Sequence, residues 1–337
     1  MLRHVPSLLA LALFSCCPSV PPPRGSATDS TEGHARVVSA KEAERQARVA
    51  RLTTPEASPL ADAEHVGSER CAPCHPNHST TWSESSHATT VRNADIDDEE
   101  LVDSFIECSG GTFTHVLGDR HHQRFLWERD EVPFGEGRWL ALPCGYDLHE
   151  DEITSHHEGD WRKLPWESHC AACHVTGFRD DDHGFLELGI GCEECHGPAG
   201  DHVTTGDRDA IFRPGTDPVA ELTVCASCHL QGGQSRHTGR KFPHGFVPGG
   251  SLFDDWEFDW STLFEDEKKV LDIHQKLLIK QVLFEGQREL ACSSCHDIHS
   301  LSHEKHQTLP RSEFCSLCHQ PDMKLKEYST SCNVCEF

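Results

Sequence analysis

Gly191-Cys192-Glu193-Glu194-Cys195-His196-Gly197-Pro198 is the stretch on which the reading of this chain turns. Two cysteines three positions apart, with a histidine directly after the second, form the pattern by which a c-type haem is attached. The two sulfurs add to the two vinyl groups of one porphyrin, so their spacing must match the edge of the ring. The histidine then falls beneath the iron as its proximal ligand. The same pattern stands at Cys71-Cys74-His75, Cys170-Cys173-His174, Cys225-Cys228-His229, Cys292-Cys295-His296 and Cys315-Cys318-His319. Zinc ribbons and thioredoxin-like dithiols also use Cys-X-X-Cys, but neither needs a histidine after every pair. At this histidine content, six such coincidences are expected by chance on the order of one time in a million. The expectation is six covalently held haems c.

A seventh pair, Cys332-Asn333-Val334-Cys335, is followed by Glu336, which is not a usual axial ligand. A disulfide there is expected rather than a seventh haem. Cys108 and Cys144 remain, and in an exported chain they are candidates for a disulfide, although spacing does not show that they meet.

Composition agrees with this reading. The 337 residues include 18 Cys and 26 His, against two Met and two Tyr. With 55 acidic and 30 basic side chains the formal net charge is −25. That charge excludes nucleic acid and anionic membrane as partners, since both require a positive field. Arg3 and His4 precede an apolar run from Val5 to Phe14, the length of a secretory h-region and about half of a membrane span. Leu13-Phe14-Ser15-Cys16 resembles a lipoprotein signal, which makes 1–16 the expected signal and Cys16 the expected lipid anchor. The alternative is plain cleavage near Ala27, which would discard Cys16 and Cys17. Either route exports the protein, to the periplasm or to a lipid anchor on the bacterial envelope, and no second apolar run is long enough to span a membrane.

Residues 17–65 read as a tether followed by a solvated helix. Pro18 to Ser30 is rich in Pro and Ser, and Arg36 to Leu52 alternates Arg, Glu and Ala without a strong apolar face. Residues 66–337 form the multihaem domain. The second and third motifs begin 22 residues apart and the fifth and sixth 23 apart, so adjacent haems are expected within each of those pairs. The first two begin 99 apart. That interval, about 104–165, holds the runs Phe105–Ile106, Thr112–Leu117, Gln123–Trp127 and Arg138–Leu142, which read as a small β-containing insert. Elsewhere the expected fold is mainly α and irregular, with little regular secondary structure and the chain wrapped around stacked haems.

Axial chemistry follows from the same counts. Met1 and Met323 are the only methionines, so at most one iron can be His/Met ligated. Methionine ligation raises potential, so mostly bis-His haems imply low potential. Candidate distal ligands are His87 after the first motif, His202 after the third and His299 after the fifth. His274 is a fourth. It lies in an amphipathic helix expected from Thr262 to Glu285, where Thr262 and Glu265 have capping-box spacing. Each competes with a packed or exposed histidine that touches no iron. His115, His121, His122, His169, His237 and His244 are weaker candidates. The acidic stretches Asp95–Asp103 and Asp254–Asp266, the latter carrying Trp256, Phe258 and Trp260, read as solvated faces or as a surface for a basic redox partner.

Three segments also resemble the cytochrome c-552/c-554 family. They are Val66-Gly67-Ser68-Glu69-Arg70-Cys71 with Trp82 and Ser86-His87, Cys173-His174-Val175-Thr176-Gly177-Phe178 with Gly191 to Val203, and Cys292 to His299. The resemblance covers roughly 66–320. It implies exported multihaem cytochromes c, mostly bis-His, that serve respiratory nitrogen or sulfur redox chemistry, and it supports His87, His202 and His299 as distal ligands. Cys332 to Glu336 departs from the complete final haem motif that members often carry.

Two functions follow. One is an electron carrier working between redox partner proteins, a membrane or periplasmic donor and an acceptor. The other is an oxidoreductase in which one open-coordinate haem binds a small nitrogen or sulfur compound. The chain has no Cys-X-X-Cys-Lys, and its tyrosines are limited to Tyr146 and Tyr328, which favours the carrier. No catalytic residue is assigned from sequence.

Overall fold

The computed structural model describes residues 29–94, 103, 106–107, 113–118, 122–129, 138–155, 165–264, 273–286 and 290–299. The signal and Cys16, Cys108, the sixth motif at Cys315, Cys318 and His319, and the Cys332/Cys335 pair lie outside the described residues. By its internal contacts the chain divides into two units, Met1–Gln46 and Ala47–Phe337. Helix α1 (Asp29–Leu52) includes the stretch in which the alternation of Arg, Glu and Ala predicts a solvated helix. No helix among the described residues is long and apolar enough to cross a membrane.

Helix α2 (Pro76–Ser83) follows the first motif directly, with proline at its first position, where the missing N–H costs nothing. Between the first two motifs stand five strands: β1 (Val91–Asn93), β2 (His115–Leu117), β3 (His122–Glu128), β4 (Trp139–Asp147) and β5 (Glu152–Ser155). They make one antiparallel sheet in sequence order, with the β3–β4 register shifting between Arg124 and Leu126. Ile106, expected in a strand, has helical backbone instead. One face of the sheet packs Val91, Leu126 and Trp139 against Trp166, Ala171 and Val175, which flank the second motif. Its other face is a core of Val116, Phe125, Leu142 and Cys144. Cys144 is disulfide-bonded.

The second half is assembled from short elements. They are α3 (Trp166–His169), the β6–β7 hairpin (Val175–Thr176 with Glu187–Leu188), α4 (Cys192–His196), α5 (Gly200–Thr205), α6 (Pro218–His229), the β8–β9 pair (Gln234–Ser235 with Trp256–Glu257) and α7 (Ile273–Ile279). Helix α6 is the longest of these. Asp217 caps it by accepting from the Val219 N–H at 2.7 Å, and Pro218 occupies its first turn. Its buried Leu222 and Ala226 join Leu230, Leu252, Phe253, Trp256, Phe258, Leu263, Ile279, Val282 and Leu283 in the largest apolar cluster.

Two expectations are corrected here. The helix expected from Thr262 to Glu285 does not begin at Thr262, where a 3-10 turn covers Trp260–Leu263; residues 265–272 lie outside the described residues, and α7 is followed by a π-helical turn over Lys280–Phe284. The Thr262 hydroxyl donates to the Asp259 carbonyl, and Asp259 caps the 3-10 turn by accepting from the Ser261 N–H. The cap of this turn is thus Asp259, three residues before Thr262. Two of the three aromatic residues of the acidic stretch are also withdrawn from any docking surface, while Trp260 stays half-buried. Trp256 and Phe258 are buried, because the short β8–β9 pair turns them into the core while Asp254 and Asp255 stay at its edge.

Candidate haem-binding site

Each described motif closes a single turn. The His75 N–H donates to the Cys71 carbonyl at 2.9 Å and the His296 N–H to the Cys292 carbonyl at 2.9 Å, while His174 reaches Ala171 at 2.8 Å. The third motif is helix α4 itself, and the fourth is the last turn of α6. In a helical turn residues i, i+3 and i+4 share one face, so both sulfurs and the imidazole of a motif point the same way. All ten cysteines of these motifs are thiols rather than disulfides.

Thiols of different motifs meet. The Cys71 thiol hydrogen-bonds to Cys192, Cys173 to Cys228, and Cys225 to Cys292. The contacts join the first motif to the third, the second to the fourth, and the fourth to the fifth. Burial pushes the Cys170 thiol up to about 11 and Cys195 up to about 12. Cys192 is instead lowered to about 7, chiefly by its hydrogen bond with Cys71. Among the described residues no cluster of three or more His, Cys, Asp or Glu side chains could hold a bare metal ion.

The imidazoles pair across motifs. Ring centroids lie 6.4 Å apart for His75 and His202, 6.1 Å for His196 and His299, and 6.2 Å for His87 and His229. Two imidazoles bound to opposite sides of one iron, each with a metal–nitrogen bond of ~2.0 Å, place their centroids roughly 6 Å apart. The ring planes meet at 26° and 27° in the first two pairs and at 89° in the third. Burial pushes the pKa of His196, His229 and His299 down, which favours the neutral ring that ligates metal. His196 Nδ1 donates to the Phe212 carbonyl at 3.0 Å and His202 Nδ1 to the Asp207 carbonyl at 2.7 Å, leaving Nε2 of each ring available. Donor set and spacing together fit covalently attached haem.

The second motif differs. His174 Nδ1 is 2.9 Å from the Thr90 hydroxyl, and the ring nearest it in the described residues is Trp166, at 6.4 Å. His274 lies on α7, beside Gln275, whose amide donates to the His229 carbonyl at 2.7 Å, and its side chain lies outside the described residues. The weaker candidates are accounted for elsewhere. His115 is buried against Trp139 at 4.1 Å, His122 pairs with Asp147, His169 Nδ1 meets the Pro165 carbonyl, and His237 stacks on His244 at 4.5 Å, too close for two ligands of one iron. His121 is outside the described residues.

Sequence reasoning passed over three features. His78, one helical turn after His75, stands 4.7 Å from His299. Thr90 gave no signal at all. Carboxylates hold the motif segments together: buried Glu193 accepts from the N–H groups of Val66, Gly67 and Ala199 at 2.8–3.0 Å, half-buried Glu187 accepts from Ser68, and buried Glu221 accepts from the N–H and hydroxyl of Ser293. The one available clue was the acidic pair inside Cys-Glu-Glu-Cys. Its second member, Glu194, accepts from the Gly177 N–H, and burial raises its pKa to about 7.

A family model described as "Cytochrome c554 and c-prime" matches residues 70–112 and 147–197. Cytochrome c-554 of Nitrosomonas europaea is 31% identical over 139 residues, 35% of this chain and 56% of that protein. Multiheme cytochrome MtrA of Shewanella baltica is 26% identical over 172 residues, 45% of each. The matches thus span about half the length of these relatives. Among solved structures, the outer cell wall cytochrome OcwA aligns over 76% of this chain and 67% of its own, with a TM-score of 0.55 at 20% identity, a likeness of fold. Repeated thiol-thiol-imidazole turns, imidazole pairs at the spacing one iron requires, and these likenesses together identify the chain as a multihaem cytochrome c.

Proposed function

We propose that the protein is an exported electron-transfer cytochrome carrying six haems c, most of them bis-His and of low potential. The observation that carries this reading is the set of three imidazole pairs at 6.1–6.4 Å, each joining a motif histidine to one from a different segment. On this reading His202 completes the first haem, His299 the third and His87 the fourth. Haem supplies a reversible one-electron couple when bound. The protein's own residues attach it, orient its axial rings through the imidazole pairs and hold the motif segments together through the carboxylate clasps and the burial of α6. Two neutral imidazoles favour the oxidised iron more than a His/Met pair does, which supports low potential. The disulfide at Cys144 supports export, since such bonds persist in oxidising compartments. Cys16 remains the proposed lipid anchor, and redox proteins the proposed partners.

A second reading rests on one observation. Trp166 is the ring facing His174, and an indole N–H donates but cannot ligate iron. The haem at Cys170 and Cys173 would then have a free axial position, and a small nitrogen or sulfur compound could bind there, making the protein an oxidoreductase.

Intact mass and low-temperature EPR of the natively matured protein separate these readings. The carrier requires six covalent haem additions and low-spin ferric signals throughout. It also requires one signal of the strongly anisotropic kind that perpendicular axial rings produce, from His87 and His229, beside rhombic signals from the two near-parallel pairs. A high-spin signal of about one per chain selects the second reading. Fewer than five haems would overturn both.

A further inference from the structure

The turn between Ser85 and Val91 reaches three motifs at once. His87 presents its ring to His229 of the fourth motif, and its carbonyl accepts from the Ile190 N–H at 2.8 Å, two residues before Cys192 of the third. Thr90 places its hydroxyl 2.9 Å from Nδ1 of His174 in the second. The turn is fixed on every side. Ser85, fully buried, caps it by accepting from the Ala88 N–H at 3.3 Å, and the Thr89 N–H and hydroxyl both donate to the Ser85 carbonyl. The Gly118 N–H donates to the Thr90 carbonyl, which ties the turn to the end of β2. Gly189, at φ +78°, leaves room for the Ala88 carbonyl that any side chain there would strike.

Building on the haem reading above, we propose that Thr90 is the residue that sets the reduction potential of the haem held at Cys170, Cys173 and His174. With Nε2 directed to iron, Nδ1 carries the proton and donates it to the Thr90 oxygen. The stronger that acceptor, the more imidazolate character the ring gains and the more the ferric state is favoured. His196 and His202 donate instead to backbone carbonyls, which are stronger acceptors than a neutral hydroxyl. A threonine at this position therefore holds the second site at a higher potential than a carbonyl would. Because the same rigid turn carries His87, the hydroxyl is positioned by the structure that positions the fourth site's ligand. Thr90 is a positioning residue and touches no reacting atom.

The test is a potentiometric titration of the matured holoprotein, followed optically and by EPR, for wild type, Thr90→Val and Thr90→Ser. Valine keeps the shape and removes the acceptor. One component should rise by a shift of order tenfold in its reduction equilibrium, ~59 mV for a one-electron couple. Serine should restore the wild-type value. The His87/His229 component serves as internal reference and should stay where it is. The proposal is overturned if no component moves in the valine variant, if serine moves it as far as valine, or if the reference component shifts equally. Loss of haem content in the wild type would instead overturn the reading on which the proposal rests, so the two failures are distinguishable.

Discussion

At the scale of single residues, the described motifs are held by groups that carry no haem. Glu193 is 1% exposed, yet it lies inside the third motif and accepts three backbone N–H groups, two from the distant Val66–Gly67 and one from nearby Ala199. A buried carboxylate is tolerated there only because those donors replace its water. It fixes the chain entering the first motif to the helix of the third, next to the Cys71–Cys192 contact. Glu193→Gln turns one acceptor into a donor facing N–H groups. The expected cost is about 2–4 kcal/mol in denaturant unfolding of the holoprotein. A change below about 1 kcal/mol would show that the clasp contributes little.

Among elements, the five-stranded sheet is the part whose stability depends on a titrating group away from any iron. His115 in β2 is buried against Trp139, and burial pushes its pKa below 6.5 despite the opposing charge of Glu128. Its Nδ1 meets the Thr114 hydroxyl at 2.9 Å. The folded sheet therefore prefers the neutral ring, whereas the unfolded chain takes a proton first as pH falls. The contribution is fully present above pH 6.5 and is lost as pH falls through that value toward the depressed folded pKa. Wild type should lose denaturant resistance between about pH 7.5 and about pH 5.5, and His115→Gln should lose less over the same interval. Equal losses would remove His115 from the account. The strands also show why the sequence was only partly readable. Runs rich in β-branched and aromatic residues marked β2, β3 and β4, while β1 and β5 are short and polar and owe their existence to pairing with neighbours already in place.

For the whole molecule the governing quantity is charge. The chain carries a formal net charge of −25, and of the aromatic residues in the acidic stretch Trp256 and Phe258 are buried in the core. On the proposed carrier reading, recognition of a donor or acceptor would rest on long-range attraction more than on an apolar patch. The rate of electron exchange with a small basic redox protein should fall by about tenfold or more between ~10 mM and ~500 mM salt. A rate indifferent to ionic strength would sink that expectation.

The sequence alone marks the motifs proposed to take haem and, in each, the histidine proposed for the proximal side. A five-residue turn carries all the information that attachment needs, because both thiols and the adjoining histidine lie on one face of a single turn whatever surrounds it. It also determined the scarcity of methionine ligands and the sign of the surface charge. Only the tertiary structure decided which imidazole faces which. His87 follows the first motif by twelve residues, yet it meets His229 of the fourth, and His299 of the fifth segment meets His196 of the third. The same holds for Thr90 against His174 and for the contacts of Cys71 with Cys192 and Cys173 with Cys228. An axial pair closes a loop between distant segments, and several histidines stand within reach along the chain. Which of them arrives is fixed by the carboxylate clasps, the packing of α6 and the turn seated against Gly189, none of which leaves a periodic mark in the sequence.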